Sequence, residues 1–89
     1  MNSYKIKYKK PAEKFIRQHK LEGLKFIKAF TEIAASIDNC KKYDIKKFQC
    51  PQPNFYRLRI GKYRAIFEVR HNEIILLVFD IDSRGDIYK

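Results

Sequence analysis

The stretch "NFYRLRIGKYRAIFEVRHNEIILLVFDID", residues 54 to 82, constrains the fold more than any other part of the chain. Two alternating runs flank Gly61-Lys62, and a two-residue loop with glycine first suits a II′ β-hairpin. Such a turn fixes the register: Ile60 faces Tyr63, and Arg59 faces Arg64. Arg57 lies two residues further along the same face. Tyr56, Leu58 and Ile60 then point the other way with Ala65, Phe67 and Val69, so the hairpin has one apolar and one cationic face. Like charges directly opposite each other cost a few tenths to ~1 kcal/mol. The Arg59/Arg64 pair is therefore better explained by an absent anion than by the needs of folding. Phosphate fits, because the planar guanidinium fork binds two oxygens at once and stays charged when partly desolvated.

The rest of the chain supplies a partner for the apolar face. Residues 3 to 8, "SYKIKY", alternate as a strand with one wet face. Pro11 fits a first helical turn, and "PAEKFIRQHK" places Ala12, Phe15, Ile16 and His19 on one stripe. "LEG" at Gly23 reads as a break. Leu24, Ile27, Phe30, Ile33, Ala34 and Ile37 then recur at helical spacing until "IDN". Residues 40 to 54 show no period and hold two prolines and four lysines, the pattern of a basic loop. Three strands follow, at 55–60, 63–70 and roughly 73–81, the last two joined by a tight "HN" turn. The predicted order is β-α-α-β-β-β. This is an α+β fold, a small antiparallel-rich sheet on an N-terminal helix pair, with residues 1–89 as one domain.

Composition narrows the partner. Twenty Lys and Arg against ten Asp and Glu leave a charge of +10 on 89 residues, which points to an anion, nucleic acid first. An acidic protein and an anionic membrane surface stay open on charge alone, but the longest apolar run, "IILLVF", is too short to span a bilayer, so no membrane insertion is expected. The N-terminus lacks the apolar segment of a secretory signal, and the expected location is cytoplasmic. Cys40 and Cys50 fit reduced thiols there. They have no CxxC spacing and no His cluster, so neither a metal site nor a cofactor is expected. His19 on a helix and His71 in a turn are poorly placed to act together. Asp80, Asp82 and Asp86 lie close to Arg84, where ion pairing or turn capping is the expected role.

"YRLRIGKYRAIFEV" followed by "IDSRGDIYK", behind a β-α-α start, resembles the RelE/ParE toxin superfamily over essentially the whole chain. The most specific part is the YR-x-R-x-G-x-YR hairpin joined to a C-terminal R-x-x-x-Y. The resemblance implies a toxin of a type II toxin-antitoxin module. Its RelE branch implies a metal-independent endoribonuclease that cleaves mRNA in the ribosomal A site, in contact with 16S rRNA, and is held silent by an acidic RelB-like antitoxin. Its ParE branch implies a DNA gyrase inhibitor, and a noncatalytic RNA- or protein-binding member of the fold is a third alternative. By the same resemblance Arg64 stabilises charge on the phosphate, Arg84 is the cation after the last strand, and Tyr88 orients or stacks on the substrate. Arg59 completes the catalytic group, and Arg57, Lys46, Lys47 and Lys62 bind RNA. Arg57 and Arg59 stand where some RelE members have lysines, and guanidinium effectively never deprotonates. The base that activates the ribose 2′-hydroxyl is therefore unassigned among Tyr88, Lys46, Lys47 and simple positioning by the ribosome.

Overall fold

The computed structural model describes residues 3–48 and 54–83. Strand β1 (Lys5–Tyr8) leads into helices α1 (Lys10–Gln18) and α2 (Lys20–Ala35), and a 3-10 turn (Ile37–Lys42) precedes β2 (Asp44–Lys47). Strands β3 (Phe55–Ile60), β4 (Tyr63–Arg70) and β5 (Ile75–Ser83) follow. The sheet order is β1-β5-β4-β3-β2, with β1 parallel to β5 and the other pairs antiparallel. The α+β class holds, with helices on one face of a five-stranded mixed sheet.

The β3–β4 hairpin forms in the register its turn dictates, with Ile60 opposite Tyr63 and Arg59 opposite Arg64. Gly61 has φ +60 and Lys62 does not share the positive φ, the sign pattern of a II′ turn. Leu58, Ala65, Phe67 and Val69 join a core with Ala12, Phe15, Phe26, Phe30 and Ile33 from the helices. Phe30 stands edge-on to Phe67 at 5.1 Å between centroids, and Phe15 is likewise edge-on to Phe26 at 6.1 Å. Offset and edge-to-face contacts of this kind add ~0.5–1.5 kcal/mol beyond the area that the rings bury.

Four expectations need correction. Residues 44–47 are not loop but the edge strand β2, paired with Tyr56–Arg59 of β3. The helices are parted at His19 (φ −124, ψ 77) and not at Gly23, which lies inside α2. A Cβ on Gly23 would sit 2.9 Å from the Ile16 Cα, so glycine is there to let the two helices touch. The buried stripe of α2 is Gly23, Phe26, Ala29, Phe30, Ile33 and Ala34, whereas Leu24 is 61% exposed and Ile37 lies beyond the helix end. The β4–β5 connection is four residues, His71 to Ile74, with Ile74 at φ +56, and β5 starts at Ile75.

Candidate phosphate-binding face

Alternation along the strands sends one row of charges outward for each apolar row sent inward. Asp44, Arg59, Arg64 and Asp82 lie directly across from one another on β2, β3, β4 and β5. The next row outward is Lys46, Arg57, Ile66 and Asp80. Arg64 occupies the middle strand of the five, where pairing on both sides holds the backbone best. Its Nε is buried.

The like-charged pair is thus flanked by carboxylates at both ends of its row, which the alternation of the hairpin alone does not reveal. Asp44 accepts a hydrogen bond from Arg59 Nε at 3.0 Å and one from an Arg57 terminal nitrogen at 3.5 Å. Asp44 is 43% exposed and the Arg57 side chain only 13%. Such a partly exposed pair is worth about 0–1 kcal/mol. It holds the two guanidinium groups in place, and a guanidinium fork matches the oxygens of a phosphate as it does those of a carboxylate.

A β-bulge puts Asp80 and Asp82 on this face. Phe67 pairs with Val78 and Ile66 with Asp80, which leaves Phe79 as the extra residue of β5. Strict alternation from the inward Val78 would turn Asp80 and Asp82 toward the helices and Ile81 to solvent. The inserted residue reverses that phase, so Ile81 is 3% exposed while both aspartates face outward. Phe79 stacks on Phe55 across β4, with centroids 5.1 Å apart and planes at 26°, and the Lys9 ammonium lies 6.0 Å from its ring. Burial, aided by the charge of Asp82, raises the Asp80 pKa above the usual carboxylate value against an opposing hydrogen bond from the Ile81 backbone.

Of the residues expected in the site, the fold gathers Arg57, Arg59, Arg64 and Lys46 on one face. Lys47 alternates to the other side, where it lines a cavity of about 270 Å³ with Cys40, Ile45, Tyr56 and His71. Lys62 stays at the hairpin tip, its ammonium 5.7 Å from the Tyr63 ring. Arg84 and Tyr88 lie outside the described residues. The two histidines have separate surroundings: His19 stacks on Phe15 at 4.6 Å, and His71 Nδ1 shares a 2.8 Å hydrogen bond with the Tyr4 hydroxyl. Asp44, Asp80 and Asp82 are the members that sequence reasoning missed or gave another role. Asp44 was hidden in an unrecognised strand, and the phase of the other two depends on the bulge.

Comparison with known proteins adds a family. The model for the ParE toxin of the type II toxin-antitoxin system parDE matches residues 6–88. The chain is similar to the RelE–RelB complex from Methanococcus jannaschii, with 28% identity over 91% of this chain and 93% of the other, at a TM-score of 0.69. It is similar in fold to the archaeal RelE–RelB complex from Pyrococcus horikoshii OT3, with 22% identity, coverage of 94% and 98%, and a TM-score of 0.77. The isolated E. coli RelE toxin shares the fold at 18% identity, with coverage of 97% and 92% and a TM-score of 0.72. No curated protein sequence matches the chain.

Proposed function

The chain belongs to the RelE/ParE family of toxins of type II toxin-antitoxin modules, and from that premise we infer that it is a ribosome-dependent endoribonuclease that cuts mRNA in the A site. The observation that carries this reading is the outward arginine group, Arg57, Arg59 and Arg64, on the inner strands β3 and β4. Cleavage by attack of a ribose 2′-hydroxyl on its own 3′ phosphate builds negative charge on the non-bridging oxygens. Preorganised cations on rigid strands stabilise that charge without reorganising as it forms. A protein whose task is only to bind another protein has no need of such a face. Arg59 and Arg64 act on the phosphate, Arg57 and Lys46 hold the RNA strand, and Arg84 and Tyr88 complete the catalytic group.

The charge of +10 and the solved RelE–RelB complexes of the similar proteins support an acidic, RelB-like antitoxin as the partner that covers this face. Charge-steered association of this kind is fast and loses on-rate with added salt. The site of action is then the cytoplasm, where the ribosomes are. Among the described residues no helix is long and apolar enough to cross a membrane.

The match to the ParE model favours a second reading, inhibition of DNA gyrase. Primer extension on a translated message separates the two. Cuts confined to translated codons are expected; an intact message accompanied by gyrase-dependent DNA breaks overturns the first reading in favour of the second.

A further inference from the structure

Resting on the ribonuclease reading above, the geometry points to Asp80 as the group that takes the proton from the attacking 2′-hydroxyl. The bulge at Phe79 turns Asp80 onto the arginine face, in the row of Lys46, Arg57 and Ile66, and makes it a diagonal neighbour of Arg64. Its direct cross-strand neighbour is apolar, the 7%-exposed Ile66, and among the described residues Asp80 forms no ion pair. Asp82, by contrast, lies directly across from Arg64, and a proton placed there would weaken the charge that faces the arginine. The arginines cannot serve, because guanidinium does not deprotonate in the working range. A half-buried carboxylate with no ion pair among the described residues is a better base than a solvated one, since burial leaves its ionised form less well satisfied.

In the cleavage step the Asp80 carboxylate accepts the 2′-hydroxyl proton while the electron pair of that oxygen forms the O2′–P bond. The P–O5′ bond breaks with its pair on O5′, which takes a proton from water. The products are a 2′,3′-cyclic phosphate and a 5′-hydroxyl end, and Asp80 then returns its proton to solvent. Arg59 and Arg64, paired across β3 and β4, face the phosphorane oxygens throughout.

Among the described residues, the charged groups that share this face with Asp80 are Asp82 on its own strand, Arg64 and Glu68 on β4, Arg57 on β3 and Lys46 on β2, with Lys9 against the ring of the adjacent Phe79; α1 packs on the opposite face. The test is single-turnover cleavage of a short mRNA held in the A site of saturated ribosomes, read against pH for the wild type, Asp80→Asn and Asp80→Glu. The wild-type rate is expected to climb about tenfold per pH unit at the acid end and to level off below neutrality. Asp80→Asn should fall by about 10²–10⁴-fold and lose that acid limb, with ribosome binding unchanged. Asp80→Glu should recover most of the rate and keep the limb. An Asp80→Asn protein cutting at the wild-type rate overturns the assignment and leaves the ribonuclease reading standing. So does a wild-type profile that rises only above neutrality, as for a lysine base, and that result decides the matter even if the asparagine variant fails to fold. A wild type that cuts nothing on ribosomes overturns the ribonuclease reading and Asp80 with it.

Discussion

Two rows of side chains cross the same four strands on opposite faces of the sheet. Ile45, Leu58, Ala65 and Ile81 point toward the helices, while Asp44, Arg59, Arg64 and Asp82, each one residue away, point outward. The inward row is apolar throughout, with Leu58 and Ala65 fully buried, and its contribution follows the area removed from water. The outward row runs negative, positive, positive, negative, and its exposed pairs contribute little. A strand period of two thus lets one sheet hold stability and charge on adjacent residues without trading one for the other.

The largest effect should come from the inward row. Leu58→Ala deletes a fully buried side chain from the middle of the sheet and should lower stability by about 2–5 kcal/mol in denaturant unfolding at an unchanged m-value. A loss below ~1 kcal/mol would mean that this row does not carry the fold.

Tyr8 tests the inward face in the opposite direction. Its hydroxyl is buried with no partner among the described residues, and burial pushes its pKa up to about 12. An unsatisfied buried hydroxyl costs about 1–3 kcal/mol, so Tyr8→Phe should leave the protein as stable as the wild type or more so. A clear fall in melting temperature would show that the hydroxyl has a partner after all.

Asp44 tests the outward row. Asp44→Ala removes the carboxylate that bridges Arg57 and Arg59 and exposes the Arg59/Arg64 repulsion. The expected loss is a few tenths to ~1 kcal/mol at low salt, shrinking as salt is added. A larger, salt-independent loss would place Asp44 in packing and not in charge compensation.

The smallest effect on stability belongs to Asp80. Its folded pKa is raised, so between the ordinary aspartate value and the folded value the native state holds more protons than the unfolded chain. Stability contributed by this group is therefore present at low pH and lost as pH rises through that window. Asp80→Asn should flatten the slope there and melt no lower than the wild type at neutral pH. An asparagine variant less stable at neutral pH would show that the charged form is the one the fold prefers.

The same two rows explain what was legible in the sequence. The β3–β4 hairpin was readable to the residue because Gly61-Lys62 fixes both turn and register, and alternation then assigns every face. Strand β2 was not, because an edge strand buries little: of Asp44–Lys47 only Ile45 is partly buried, and one apolar residue sets no period. The distal half of β5 was opaque for another reason. "IILLVF" is apolar on both faces, so nothing in it marks where an extra residue reverses the alternation. The phase of α2 was misjudged because Leu21 and Leu24 are 75% and 61% exposed, whereas Gly23, a residue that usually ends helices, marks a close helix contact. On the described outward face the placement of Arg57, Arg59 and Arg64 was therefore readable and that of the carboxylates beside them was not.

Whether the outward row acts on phosphate is tested most directly by single-turnover cleavage of A-site mRNA by Arg64→Ala on saturated ribosomes, after circular dichroism shows the variant folded. Loss of one preorganised donor should cost ~3 kcal/mol of transition-state stabilisation, a hundredfold or more in rate, with ribosome binding little changed. An Arg64→Ala protein that cuts at the wild-type rate would contradict that role and leave the arginines as a charged sheet face.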